Sequence, residues 1–216
     1  MRLPRTIGRA ALLALAFVTF QGCAVMAEVE EPAFGVERSE PPFELRRYAP
    51  MIVAEVEVGG SREQAVNAGF RILADYIFGG NAPRETIEMT APVTQSESPA
   101  EPAGEKIAMT APVQQTGREG RWTVRFVMPS EWTLDTLPRP NDPRIALVPV
   151  PERLLASVRF SGVPRETRLA EKSAALDAWI AAAGLTPRGE PVYAFYDPPW
   201  TLPFLRRNEV LREVAR

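Results

Sequence analysis

The sequence predicts an α+β fold of duplicated β-α-β units. Their strands merge into one antiparallel sheet or distorted β-barrel, flanked by two helices. Three observations carry this. Residues 51–80, "MIVAEVEVGGSREQAVNAGFRILADYIFGG", read as strand, glycine turn and helix. Residues 153–184, "RLLASVRFSGVPRETRLAEKSAALDAWIAAAG", repeat that order about 102 positions later, with Gly162 matching Gly60. Met-Thr-Ala-Pro-Val occurs twice, at 89–93 and 109–113, around the polar connection "TQSESPAEPAGEK". The motif repeats only once, so it describes two neighbouring strands rather than a solenoid.

Each element follows from its local pattern. Residues 28–42 are acidic and proline-rich, a tether or a loose first strand. Strands follow at 43–48 and 51–58, broken at Ala49-Pro50. In the second, Ile52, Ala54, Val56 and Val58 alternate with Val53, Glu55 and Glu57, as a half-buried strand requires. Ser61 offers an N-cap for a helix over 62–78, and Gly79-Gly80-Asn81 ends it. The motif copies predict strands at 87–93 and 107–114 with Ile107, Met109, Ala111 and Val113 inward, and Met89 and Met109 in the core. Pro92 and Pro112 cannot donate to a ladder and belong at bulges or strand ends. Further strands are expected at 121–128, 189–196 and 208–214, and Val163-Pro164 opens the second helix. The chain thus divides into 1–27, 28–42 and a domain over 43–216, whose pseudo-repeats cover about 43–128 and 144–214. In "RRNEV", Arg206 or Arg207 is expected to pair with an acidic neighbour and pin the last strand.

Composition narrows the chemistry. The 216 residues are 45% hydrophobic and 24% charged, with a net charge of −2, so nothing points to a nucleic-acid partner. There is no histidine, which removes Ser-His-Asp and Cys-His catalysis and histidine ligation of metal or haem. No carboxylate or Lys/Arg cluster argues for an enzyme.

The first 27 residues have the form of an export signal. Arg2, Arg5 and Arg9 precede an apolar run over 10–20, too short to span a membrane. Val25-Met26-Ala27 suits signal-peptide cleavage. Phe20-Gln21-Gly22-Cys23 resembles a lipobox, with the single cysteine where lipidation needs it. The expectation is an exported protein, periplasmic or an outer-membrane lipoprotein anchored through Cys23.

Over about residues 34–214 the chain resembles the SOUL haem-binding protein family. "FELRRYAP", "AVNAGFRILADYIFGGN", "KIAMTAPV", "FVMPSEW" and "YDPPWTLPFLRRNEV" carry the resemblance. It implies a duplicated βα fold and binding of haem or another tetrapyrrole in a groove beside the first helix. Some relatives have a proposed histidine ligand where this chain has Arg47. Basic positions on the family's first helix fall on Asn67 and Asp75, and a lysine after Y-D-P-P is replaced by Trp200-Thr201. The resemblance therefore implies tetrapyrrole binding without histidine ligation.

The residues give their own case for a groove. On the helix at 62–78, Ala65, Gly69, Ile72, Leu73, Tyr76 and Ile77 form one apolar stripe, and Phe70, Ala74 and Phe78 form a second beside it. Leaving both phenylalanines in water costs roughly 1.5–3 kcal/mol each relative to burial. Either they complete the core under the loop "YDPPWTLPF", or Phe70, Ala74, Phe78 and Trp200 line a groove for a flat apolar ligand, with Arg71 and Arg47 meeting carboxylates at its rim. The corresponding functions are an exported tetrapyrrole-binding protein and an envelope structural or interaction module that keeps the fold alone.

Overall fold

The computed structural model of the chain describes residues 29–83, 104–118 and 120–216. The export signal with Cys23, the first motif copy and Met89 lie outside the described residues.

The chain builds strands β1 (Phe34–Glu40), β2 (Phe43–Tyr48) and β3 (Met51–Gly59), helix α1 (Arg62–Ile77), and strands β4 (Asn81–Ala82), β5 (Val113–Arg118), β6 (Arg121–Val127), β7 (Arg139–Pro140), β8 (Ala146–Val150) and β9 (Arg153–Phe160). Helix α2 (Glu166–Ala182) and strands β10 (Thr186–Phe195) and β11 (Asn208–Ala215) complete it. Nine strands form one antiparallel sheet in the order β1-β2-β9-β11-β10-β5-β6-β3-β8, and β4 pairs with β7 separately. The antiparallel sheet and two helices are as expected. Its hydrogen-bonded order is open among the described residues, with β1 and β8 at its ends, so no closed barrel is seen.

The duplication is explicit in the topology. In the first half β5, β6 and β3 lie side by side, and in the second β10, β11 and β9 do; β5 and β10 join the halves. The strand preceding each unit is exchanged. Strand β2 leads into β3 but pairs with β9, while β8 leads into β9 but pairs with β3. Gly60 and Gly162 turn each unit from strand to helix with φ of 107° and 101°, a region open to glycine at little cost. Arg62 and Pro164, matched by the 102-residue offset, touch: Arg62 Nη2 donates to the Pro164 carbonyl at 2.9 Å and Nε to Glu166 at 2.7 Å.

Helix α1 packs on β3 and β6 through Leu73, Tyr76 and Ile77, against Ala54, Val56, Val124 and Phe126. Helix α2 packs on β9, β10 and β11 through Leu169, Leu176 and Ile180, against Leu45, Ala156, Val158 and Val210. The sheet face turned away from the helices holds a third core of Tyr48, Leu155, Ala194 and Leu211.

The start of α1 follows the expected chemistry. Ser61 Oγ accepts the Gln64 N–H, and the Gln64 side chain accepts the Ser61 N–H. At its end Phe78 is the C-cap, and the buried Asn81 amide donates to the carbonyls of Tyr76 and Glu105 at 2.7 and 2.8 Å. Helix α2 starts at Glu166, after Val163-Pro164, with Arg165 as an N-cap that makes no side-chain bond.

Two expectations need correction. The strand placed at 107–114 is β5, Val113–Arg118. Pro112 has no N–H to give a ladder, and ahead of it the Thr110 hydroxyl turns inward to the Val127 carbonyl. Ile107 and Ala111 are buried as expected, but Thr110 is too, and Met109 is 39% exposed rather than core. Of the two readings of 28–42, Phe34–Glu40 is a strand, paired along β2.

Candidate functional site

Helix α1 turns one stripe into the core and leaves a second in solvent. Ala65, Gly69, Leu73, Tyr76 and Ile77 are buried, and Ile72 packs at the edge of the same core. Gly69 permits this close approach, since a Cβ there would sit 2.6 Å from the Val124 side chain. On the outer side, Phe70 is 36% and Phe78 60% exposed, with half-buried Ala74 between them. Phe70 is steadied from beneath by Phe126, edge-on with ring centroids 5.4 Å apart. Beside this line, exposed Arg71 gives its Nε–H to the Asn67 carbonyl at 3.3 Å and has no carboxylate partner among the described residues.

The other two expected groove residues lie elsewhere. Arg47 is in β2, which pairs with β1 and β9. It shares a strand face with Phe43 and Leu45, which pack with the α2 core, so it belongs to the opposite half from α1. Its guanidinium is already engaged by Glu37 at 2.6 Å and Glu152 at 3.1 Å. Trp200 is 82% exposed in the β10–β11 connection and makes no ring contact or hydrogen bond with α1. That loop is fastened at the second half, where the Gly162 N–H donates to the Pro203 carbonyl at 2.8 Å. Arg206 holds it from within through the carbonyls of Thr201 and Pro199. The structure thus brings Phe70, Arg71, Ala74 and Phe78 together, and the loop does not bury the two phenylalanines.

A buried ionic cluster, of which the sequence suggested only the Arg207 pairing, organises the helix-free face. Glu209 has no exposed surface and takes two bonds from Arg46, at 2.7 and 3.2 Å. Tyr196 donates to it at 2.9 Å and Arg207 at 3.1 Å. Burial pushes the Glu209 carboxyl up, but the Arg46 hydrogen bonds and the charges of Arg46 and Arg207 outweigh it and hold the group below its ordinary 4.5. Burial and the Glu209 charge raise the Tyr196 phenol. Arg207 does pin the last strand, as "RRNEV" suggested, and also pairs with Glu31 at 2.9 Å. Only strand register could have revealed Arg46 and Glu209, which are 163 positions apart.

Comparison with known proteins places the chain. The profile described as SOUL heme-binding protein matches residues 29–213. The chain belongs to the SOUL family. By sequence no curated protein matches it. In structure, this SOUL protein is similar to the EcmrR C-terminal domain, with a TM-score of 0.57 and 12% identity over 81% of this chain and 97% of that one. It is also similar to a protein from Listeria innocua described as a hydrolase, with a TM-score of 0.51 and 14% identity over 83% and 94% of the two chains. At such identities the likeness is one of fold alone.

The residues present fit one part of the family's ligand. Phe70, Ala74 and Phe78 offer a flat apolar strip, and Arg71 a cation for a carboxylate. For an iron atom the chain offers no histidine, and among the described residues no cluster of acidic or cysteine side chains could hold a metal.

Proposed function

We propose that this SOUL protein binds a tetrapyrrole against the outer face of α1, through the ring rather than the metal. The observation that carries this is the exposed Phe70–Ala74–Phe78 line with exposed Arg71, which has no carboxylate partner among the described residues, beside it. A porphyrin laid on that line removes both phenylalanine rings from water, and one propionate reaches Arg71. Arg47 and Trp200, included in the groove on sequence grounds, have no part in this reading.

Titration of the purified protein with hemin, and in parallel with metal-free protoporphyrin, tests it. Saturation near one equivalent with similar affinities is expected, because the chain has no histidine to ligate iron. A featureless titration with both would remove the proposal. A clear preference for hemin would show metal ligation and overturn its second half.

The site is proposed to act outside the cytoplasm, on the strength of the signal-like 1–27 segment. The mass of the processed N-terminus would separate cleavage after Ala27 from lipidation at Cys23. One observation favours the second reading, an interaction module: Trp200, Leu202, Phe204 and Leu205 stand 56–82% exposed in a single loop. Crosslinking from that loop, in a protein that takes up no porphyrin, would support it.

A further inference from the structure

The two halves differ in one connection. Strands β5 and β6 meet in a tight hairpin, with Arg118 paired to Arg121. Their counterparts β10 and β11 are joined by residues 196–207. The fold turns this corner without such a loop in the first half, so the loop's content needs its own explanation. It carries Trp200, Leu202, Phe204 and Leu205, all exposed, and exposed Val163 of the β9–α2 corner adjoins it at Pro203. An apolar patch of this kind marks an interaction surface.

The loop holds its shape with its own polar groups. A 3₁₀ turn runs over Pro203–Leu205. The N–H groups of Thr201, Leu205 and Arg206 donate to the carbonyls of Pro198, Leu202 and Pro203 at 3.0, 2.9 and 3.2 Å. Arg206 lies inside and donates to the carbonyls of Thr201 and Pro199. Pro198, Pro199 and Pro203 have no N–H to satisfy. The carbonyls of Pro198, Pro199, Thr201, Leu202 and Pro203 thus all have donors within the protein, as a water-poor surrounding requires.

A cationic rim flanks the apolar tip. Arg165 and Arg168, exposed at the start of α2, line the same hollow as Val163 and Pro203. Arg168 lies 5.9 Å from the Phe160 ring, but neither guanidinium has a carboxylate partner among the described residues. The acids beside them are engaged: Glu166 pairs with Arg62 at 2.7 Å and Glu171 with Lys172 at 3.0 Å. The chain also enters the domain at this end. Glu31 pairs with Arg207, the last residue of the connection, at 2.9 Å. Cys23 stands eight positions before Glu31, at most roughly 26–29 Å of extended chain. An acyl chain on Cys23, one of the two N-termini proposed above, would keep the loop within reach of the bilayer that holds it.

We infer that the Trp200–Leu205 loop inserts its apolar side chains into an anionic lipid surface, with Arg165 and Arg168 on the headgroups. Tryptophan suits such an interface, having an apolar body and a polar tip. Each arginine near an anionic surface adds attraction that the apolar contact alone lacks. The inference stands whether or not α1 takes a porphyrin.

Vesicles of phosphatidylglycerol and phosphatidylethanolamine with brominated acyl chains test it by quenching tryptophan. Cys23→Ser gives a full chain that cannot be acylated there, and residues 1–27 contain no tryptophan, so the signal-like segment is silent. Quenching is expected in this protein and is expected to be lost in Trp200→Phe. Leu202→Ser with Phe204→Ser is expected to raise the lipid needed for half-quenching at least about tenfold. Arg165→Gln with Arg168→Gln is expected to raise it about five- to tenfold, and by less than about twofold on brominated phosphatidylcholine vesicles. Phe78→Asp is expected to change nothing. Absence of quenching, its persistence in Trp200→Phe, or its loss in Phe78→Asp would overturn the assignment. Equal effects of the arginine pair on both vesicle types would overturn the rim. A loop that crosslinks to a soluble protein or to a second copy, with no quenching by vesicles, would belong to the interaction module and overturn the lipid assignment. If the double serine variant fails to fold, the Trp200 and Phe78 variants still decide. A protein quenched by vesicles that takes up no porphyrin would lose the proposed function and keep this one.

Discussion

The two helices occupy equivalent places in a duplicated fold, which makes α2 a built-in control for α1. Helix α1 starts at Arg62 and α2 at Glu166, and their buried positions match at that spacing: Ala65 with Leu169, and Tyr76 with Ile180. On the same spacing the outer line Phe70, Ala74 and Phe78 corresponds to Ala174, Ala178 and Ala182, all exposed. Alanine there satisfies helix propensity and exposes little apolar surface. The fold therefore tolerates alanine along this line, and the phenylalanines of α1 need another explanation. A ligand face supplies one.

The sheet shows the same division. Ala54 pairs with Phe126 and Ala156 with Arg212, so Glu209 in β11 corresponds to Thr123 in β6. Among the described residues, only the second half carries a buried carboxylate between two arginines. The largest effect is expected here. Glu209→Ala removes the buried carboxylate that Arg46 and Arg207 share, leaving each only its outer partner, Glu44 or Glu31, and should cost about 3–5 kcal/mol in denaturant unfolding, against under about 1 kcal/mol for Thr123→Val. The effect has a pH signature. The folded carboxyl titrates below its ordinary 4.5, so its contribution is complete above that value and is lost as pH falls through the folded pKa. The gap between wild type and Glu209→Gln should be full at pH 7 and shrink progressively below about pH 4.5. A gap independent of pH would mean that the cluster stabilises through shape rather than charge.

Next in size is the helix seat. Gly69 in α1 corresponds to Ser173 in α2, whose hydroxyl donates to the Leu169 carbonyl at 2.8 Å. Gly69→Ala gains helix propensity but drives a Cβ onto Val124, so a net loss of about 1–3 kcal/mol is expected. Ser173→Ala should change stability by less than about 0.5 kcal/mol. Equal effects in thermal melts would mean that the helices are seated alike and that the first half has no tighter contact.

The sequence made the local plan legible and left the long-range pairings hidden. Strand alternation in 51–58, the Ser61 cap and the glycines at 60 and 162 are short-range signals, and each appears in its place. The strand exchange was hidden, because nothing in 43–48 says that it pairs with 153–158 rather than with its neighbour β3. That one fact moves Arg47 to the other half and out of the groove. The duplicated motif misled for a different reason. Its alternation is that of a strand, but Thr110 finds an acceptor across the sheet and Pro112 has no donor, so local pattern gives way to side-chain pairing. On α1 both stripes were readable, yet how far Phe70 stays exposed depends on Phe126, 56 residues away.

The smaller predictions sharpen the comparison of the two helices. Phe78→Asp should weaken porphyrin binding by about 10- to 100-fold, because it removes an apolar ring contact and places a like charge near a propionate. The matched change in the other helix, Ala182→Asp, should leave binding within about twofold, and a comparable loss there would end the argument from asymmetry. The smallest effect is expected at Arg71. An exposed cation meeting a carboxylate contributes little in water, so Arg71→Gln should weaken protoporphyrin by only about two- to fivefold. Salt should narrow that difference, since screening acts on exposed pairs. Protoporphyrin dimethyl ester, which has no carboxylate, should bind wild type and Arg71→Gln alike. If the ester also distinguishes them, Arg71 acts by covering the ring with its stem, and the charged rim has to be sought elsewhere on α1.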